Sequence, residues 1–232
     1  MSQTSHKSQM SHMKTIKLFF LLLFLGNFLQ AQEQKAPFWN DIQAFKRQDS
    51  ISLPPKHAIL FVGSSSFTKW KDVQDYFPGY TIINRGFGGS SLSDMIRFEN
   101  DVIFKYEPKQ IVIYCGENDL AASNTVTAQM VLERFKQLFS DIRAKFPKTP
   151  LIYISMKPSP SRWNMKDKMM EGNELIKKYL KKKKKTVFIS VWNDMLGPDG
   201  KPMGDIFVED KLHMNAKGYA IWQKEIEPHL LK

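Results

Sequence analysis

Gln110-Ile-Val-Ile-Tyr-Cys115, followed at once by Gly116-Glu117-Asn118-Asp119, is the stretch on which the fold turns. Its apolar residues are continuous. A strand with one wet face alternates apolar and polar residues, whereas one covered on both faces does not, and such strands belong to parallel sheets. Four other runs read the same way: Ala58-Ile-Leu-Phe-Val62, Tyr80-Thr-Ile-Ile83, Leu151-Ile-Tyr-Ile-Ser155 and Thr186-Val-Phe-Ile-Ser-Val191. Helical rhythms fall between them. Val131, Phe135, Leu138, Ile142 and Phe146 keep a 3.6-residue spacing that Pro147 ends. Leu175, Ile176, Tyr179 and Leu180 form a second stripe, and the stretch 91–106 reads as a further helix. Asn215 is placed to cap a last helix carrying Tyr219, Trp222, Ile226 and Leu230.

Strands alternating with helices make βαβ units, hence an α/β protein with a parallel sheet covered on both faces. No repeat or linker divides residues 36–232. A chain of 232 residues suits one domain with a short appendage. Hydrophobic residues at 42% and charged residues at 25% exclude a disordered or collagen-like chain. One cysteine excludes a disulfide scaffold and a Cys-based zinc site.

The amino terminus has its own pattern. Lys14 and Lys17 precede the apolar run Leu18–Leu29, Ala31 follows, and Gln32-Glu-Gln-Lys35 is polar. A basic region, a short apolar region and a small exit residue predict a secretory signal peptide over residues 1–31. Residues 1–12 are polar and unpatterned, with Met13 an alternative start, and Leu29 is larger than the residue usual two before cleavage. The expectation is an exported protein, periplasmic or secreted, whose mature part is a single domain over 32–232. Cleavage would remove Lys7, Lys14 and Lys17 and no acid, three of the +11 net charges. No run reaches the about 20 apolar residues of a membrane span, so no transmembrane segment is expected in the mature chain.

Ligands in open α/β sheets bind beyond the carboxyl ends of the strands, so the residues after each strand matter most. After the first comes Gly63-Ser64-Ser65-Ser66-Phe67. It is either a Ser/Gly turn or a turn that projects a nucleophilic serine. It lacks the G-x-S-x-G spacing of a nucleophile elbow. After the second comes Asn84-Arg85-Gly86-Phe87-Gly88-Gly89-Ser90, a flexible turn or a backbone N–H donor to an oxyanion; the spacing of a dinucleotide loop is absent. After the third, Asn118 is a neutral amide donor, an Asx turn or a helix cap. After the fifth comes Asp210-Lys211-Leu212-His213. A carboxylate three residues before a histidine can hold one ring nitrogen and leave the other as a general base. Of five histidines, His6 and His12 precede the apolar run, His57 precedes the first strand and His229 follows Pro228, so His213 alone belongs to the carboxyl edge. Histidines so distributed argue against a catalytic zinc site. A nucleophile, oxyanion donors and an Asp–His pair, in that order, are the parts of acyl transfer.

With these four blocks the chain resembles the SGNH hydrolases, also called GDSL esterases and lipases, over roughly residues 57–231. The resemblance implies a three-layer α/β/α sandwich with a mostly parallel, about five-stranded sheet, the flavodoxin-like SGNH hydrolase fold. It implies Ser65 as nucleophile, with Ser64 standing where the family usually has Asp. It implies Gly89 as backbone donor, Gly86 in the turn, and Asn118, from Gly-x-Asn-Asp, as side-chain donor. Ser65 itself supplies a further oxyanion N–H, and Asp-x-x-His gives Asp210 and His213. The segment Lys157-Pro-Ser-Pro-Ser-Arg-Trp163 resembles one in some bacterial members and is expected to line the site. The implied activity is ester hydrolysis with no metal or organic cofactor. The expected substrates are small-molecule or glycan esters, short-chain or acetyl and carbohydrate-linked. A lysophospholipase or thioesterase for longer chains, or a non-catalytic polyanion- or glycan-binding protein on the same scaffold, are the alternatives.

Lys177, Lys178 and Lys181 to Lys185 put seven lysines in nine positions. They read either as a solvated helix end, where lysines suit the helix dipole, or as a surface for polyanions. With no interleaved aromatic beyond Tyr179 and no arginine, no nucleic-acid partner is expected. Cys115, next to the candidate site, reads as a buried small hydrophobe or as a thiol nucleophile. The five tryptophans are scattered and assign no carbohydrate.

Overall fold

The computed structural model describes residues 36–232. The expected signal peptide lies outside the described residues. Asn40–Lys232 form one compact unit. Its sheet has five strands: β1 (Ile59–Gly63), β2 (Ile82–Gly86), β3 (Gln110–Tyr114), β4 (Leu151–Ile154) and β5 (Thr186–Ile189). Their order is β2-β1-β3-β4-β5 and every pairing is parallel. Phe61 sits opposite Asn84 on one side and Val112 on the other. This is the flavodoxin-like order, whose crossovers leave the carboxyl edge open beside β1 and β3. The central strands β1, β3 and β4 are buried throughout, as their continuous apolar composition requires.

The α-helices are α1 (Trp39–Ile51), α2 (Ser65–Lys69), α3 (Val73–Tyr76), α4 (Leu92–Arg97), α5 (Glu99–Val102), α6 (Glu117–Ala121), α7 (Ala128–Lys145), α8 (Lys166–Leu180) and α9 (Ala216–Ile226). Alternate strand residues face opposite layers. Ile59, Phe61, Val112, Tyr114, Ile152 and Ile154 point to the layer holding Phe67 and Trp70 of the α2 region and Trp222 and Ile226 of α9. On the other face Tyr153 meets Phe135 of α7 at 4.8 Å between ring centroids, and Phe135 and Phe139 meet Tyr179 of α8. Of the expected stripes, Val131, Phe135, Leu138 and Ile142 on α7 and Ile176 and Leu180 on α8 are buried, while Phe146, Leu175 and Tyr179 are half-buried; Asn215 caps α9 by accepting the Lys217 and Gly218 N–H groups.

Three expectations change. The stretch 91–106 is not one helix: α4 and α5 are separated at Phe98, and a 3-10 turn covers Phe104–Tyr106. Ser91 and Asp94 build a capping box that starts α4. β2 runs on through Asn84, Arg85 and Gly86, beyond the apolar run that ends at Ile83. Strand pairing to Phe61–Gly63 carries them, and Asp49 neutralises the buried Arg85 at 2.5 Å. Gly86 therefore ends the strand and does not serve the turn. Leu230 is buried but lies beyond α9, after a 3-10 turn over Glu227–His229.

Candidate active site

Ser65 is the first residue of α2, directly beyond β1. Gly63 makes this entry possible: a Cβ there would lie 1.9 Å from the Tyr114 carbonyl oxygen, with φ +150°. Gly86 brings α2 close to the sheet, since a Cβ there would come within 2.7 Å of the Phe67 Cβ. α2 also meets α9: Tyr219 donates to the Ser66 carbonyl in its first turn at 2.8 Å and stacks on Trp70 at its carboxyl end. As the first helical residue, Ser65 has no intrahelical acceptor for its N–H.

His213 and Asp210 come from the long connection after β5. The loop closes on itself through Val208 N–H to His213 C=O (2.8 Å) and a bridge between Phe207 and Met214. Lys211 takes the left-handed conformation, φ 56°. Asp210 Oδ1 accepts the N–H groups of Leu212 and His213, each at 2.9 Å, and Oδ2 lies 2.6 Å from His213 Nδ1. His213 Nε2 lies 2.9 Å from Ser65 Oγ. An ionised carboxylate only accepts, so Nδ1 carries the proton and Nε2 is free to accept from the serine hydroxyl. Partial burial pushes the Asp210 carboxyl up. The bonds from the His213 ring and from the His213 and Leu212 N–H groups outweigh it and hold the carboxyl well below the usual range.

The second block reaches the same place. A Cβ on Gly88 would touch the Ser65 Cβ at 3.8 Å. Gly89 is exposed at φ +88°, in a turn closed by Ser90 N–H to Phe87 C=O (3.3 Å). The buried Ser90 ties this turn to β1 by donating Oγ–H to the Gly63 carbonyl (3.3 Å), and its own carbonyl accepts from Asn118 Nδ2 at 2.9 Å. Asn118 sits on α6. Its neighbour Asp119 is structural: the buried carboxylate accepts from Leu92 N–H at the start of α4 and from Arg134 of α7, with burial pushing its pKa up. The structure thus brings Ser65, His213 and Asp210 into one hydrogen-bonded chain, with Gly89 and Asn118 joined to it through Ser90 and Gly88.

Cys115 is not available as a nucleophile. Its thiol is enclosed against the Ser90 carbonyl, and burial, with the Asp119 charge, raises its pKa well above normal. The segment over 157–163 does border the site. Ser161 N–H donates to the Lys211 carbonyl, and Arg162 reaches both Glu117 and Asn118. The sequence reading did not single out Glu117 or Arg162 individually. A separate cavity of about 630 Å³ opens beside β2, lined by Phe45, Gln48, Thr68, Trp70, Ile82 and Arg85 among others, and includes none of Ser65, His213 and Asp210. Among the described residues no group of three His, Cys, Asp or Glu is placed to hold a metal ion, and no helix is long and apolar enough to cross a membrane.

An all-parallel sheet with a serine, an imidazole and a carboxylate in register at its carboxyl edge defines an α/β/α hydrolase of the SGNH type. Residues 50–221 match the GDSL-like lipase/acylhydrolase family, and the chain belongs to that family, which makes it a hydrolase of ester bonds. No curated protein matches it in sequence. Among solved structures it is similar to a candidate acylhydrolase from Bacteroides fragilis, with 22% identity and a TM-score of 0.70 over 84% of this chain and 97% of that one. It is also similar to a GDSL-like lipase from Bacteroides thetaiotaomicron, with 22% identity and a TM-score of 0.66 over 81% and 95%. An acetylxylan esterase from Geobacillus stearothermophilus shares 13% identity and a TM-score of 0.59 over 75% and 93%. These likenesses bear on the fold.

Proposed function

We propose that the chain is an exported serine esterase that removes short acyl groups, acetyl above all, from carbohydrate hydroxyls. The observation that carries the serine mechanism is the continuous chain Ser65 Oγ, His213 Nε2, His213 Nδ1, Asp210 Oδ2, at 2.9 and 2.6 Å. The preference for short acyl groups is supported by the fold shared with an acetylxylan esterase, and export by the basic-then-apolar pattern of residues 14–31.

His213 Nε2 takes the hydroxyl proton as Ser65 Oγ attacks the ester carbonyl. The tetrahedral oxyanion receives hydrogen bonds from the Ser65 and Gly89 N–H groups and from Asn118 Nδ2. Collapse breaks the ester C–O bond, and His213 returns the proton to the leaving alcohol. A water, deprotonated by the same nitrogen, attacks the acyl-serine and releases the acid. Removing one oxyanion donor typically costs about 10²–10³ in rate.

Hydrolysis of p-nitrophenyl esters from acetyl to palmitoyl, by the wild type and by Ser65→Ala, tests this reading. Short esters should be cleaved fastest and the variant should retain less than about a thousandth of the rate. Rates that climb with chain length would replace the glycan esterase by a lipid or thioester hydrolase. Full activity in Ser65→Ala would remove the serine mechanism.

A further inference from the structure

A buried ionic cluster stands behind the Asn118 amide, and the Ser65–His213–Asp210 chain does not use it. Glu117 is enclosed, 4% exposed. Its carboxylate accepts from Lys157 Nζ at 3.2 and 3.3 Å, from the Lys157 N–H at 3.0 Å, from Arg162 at 3.1 Å and from the Tyr114 hydroxyl. Burial pushes the Glu117 carboxyl up, but the two cations and the tyrosine hydroxyl outweigh it and hold it below its ordinary range. Lys157 is 1% exposed and Arg162 only 18%. Taking three charges out of water is costly, and apolar residues of equal volume usually serve stability as well. The cluster calls for a role that apolar residues cannot fill.

That role lies at the outer end of Arg162. One arm of the guanidinium binds Glu117, and the other donates to Asn118 Oδ1 at 2.7 Å. An asparagine amide can sit in two orientations that exchange oxygen and nitrogen. On its other side Asn118 Nδ2 donates to the Ser90 carbonyl at 2.9 Å. Turned over, the amide would set donor against donor at Arg162 and acceptor against acceptor at Ser90. The orientation is therefore fixed from both sides. Ser90 takes one Nδ2 hydrogen and leaves the second for the oxyanion. The cluster also holds two cations against one carboxylate, so positive charge lies behind the amide dipole in a site of low dielectric, where it acts most strongly.

We infer that Arg162, anchored by Glu117 and Lys157, is a positioning residue that locks the Asn118 amide with its free N–H turned to the oxyanion. This rests on the reading of Asn118 as an oxyanion donor. A lysine at position 162 carries one ammonium instead of a planar fork and cannot serve both partners with the same geometry. Arg162 acts on the transition state and not on ground-state binding, so its loss falls on kcat.

Steady-state hydrolysis of p-nitrophenyl acetate by Arg162→Met, Arg162→Lys, Asn118→Ala and the double variant Asn118→Ala/Arg162→Met separates the possibilities, with thermal melts identifying any variant that fails to fold. Arg162→Met should lower kcat by about 10–100-fold with KM changed less than about threefold. Arg162→Lys should fall between it and the wild type. It keeps a cation in the cluster and reads the fork alone should the methionine variant unfold. In the Asn118→Ala background the methionine substitution should change kcat by less than about threefold. An equal loss in both backgrounds, or a wild-type kcat in the folded lysine and methionine variants, overturns the positioning role. A wild-type kcat in Asn118→Ala would instead overturn the oxyanion reading beneath it.

Discussion

Asp210 divides its work between two oxygens. Oδ1 holds the Leu212 and His213 N–H groups, and Oδ2 holds the imidazole. In an Asp210→Asn variant the backbone donors retain the amide oxygen, which turns the NH₂ toward Nδ1. The ring must then accept at Nδ1 and carry its proton on Nε2, the nitrogen that faces Ser65. The variant should fold and lose about 10²–10⁴ in kcat, with little change in KM. A small loss measured in a kcat assay would mean that His213 does not depend on Asp210 for its tautomer. The same residues explain what could be read in advance. Ser65, Asn118, Asp210 and His213 each lie within a few positions of a strand end or of each other, so short blocks of sequence carried them. Arg162 meets Glu117 across 45 positions. Only folding joins them, and an Arg in a Pro/Ser-rich loop has no local signature of a partner.

At the scale of elements, legibility followed apolar pattern. β1, β3 and β4 and the helices α7 to α9 bury hydrophobic faces and were recognisable. α1 was not, because of its inward residues only Ile42 is apolar and buried, and the other buried position is Asp49. Polar chemistry fastens this helix instead. Asp49 pairs with Arg85 of β2 and with Lys105, each at 2.5 Å, and accepts from the Tyr106 hydroxyl at 2.7 Å. The same carboxylate explains why β2 could extend through a charged residue that composition alone assigns to a loop. Burial pushes Asp49 up, but Lys105, Tyr106 and Arg85 together hold it below its ordinary value. Between that lowered value and the unfolded one near pH ~3.9, the unfolded chain binds the extra proton. The stabilisation is therefore complete above about pH 5 and is lost as the pH falls through the folded value. Asp49→Asn should cost about 3–5 kcal/mol at pH 7, because it leaves Arg85 buried without its counter-charge. The variant should also lose part of the acid-side slope of stability. Urea unfolding from pH 3 to pH 7 reads both, and an unchanged slope would mean that Asp49 binds its proton equally in the native and unfolded chains.

The whole molecule separates its two conspicuous chemistries along the strand direction. All five strands run one way, so their carboxyl ends carry Ser65, the Gly88–Gly89 turn, Asn118 and the His213 loop along one edge. The lysine run ends at Lys185, just before β5, and so belongs to the amino edge. Its members are exposed, and they are not equivalent. Lys177 approaches Glu174 at 3.7 Å, Lys183 lies over the Tyr179 ring, and Lys185 donates to the Lys148 carbonyl. Among the described residues no carboxylate lies within 4.0 Å of Lys181, Lys182 or Lys184. These three crowd like charges beyond the last turn of α8, whose favourable dipole interaction is already served by Lys177 and Lys178. Replacing the three with Gln should relieve a few tenths of a kcal/mol of repulsion each. In a protein of this size that raises the melting temperature by about 1–4 °C at low ionic strength. The gain should vanish near 1 M salt, where the screening length falls to about 3 Å. Turnover of a neutral ester should not change, because the substitutions lie at the edge opposite Ser65. A melting temperature that falls at low salt would show that these lysines hold contacts worth more than the repulsion they cause.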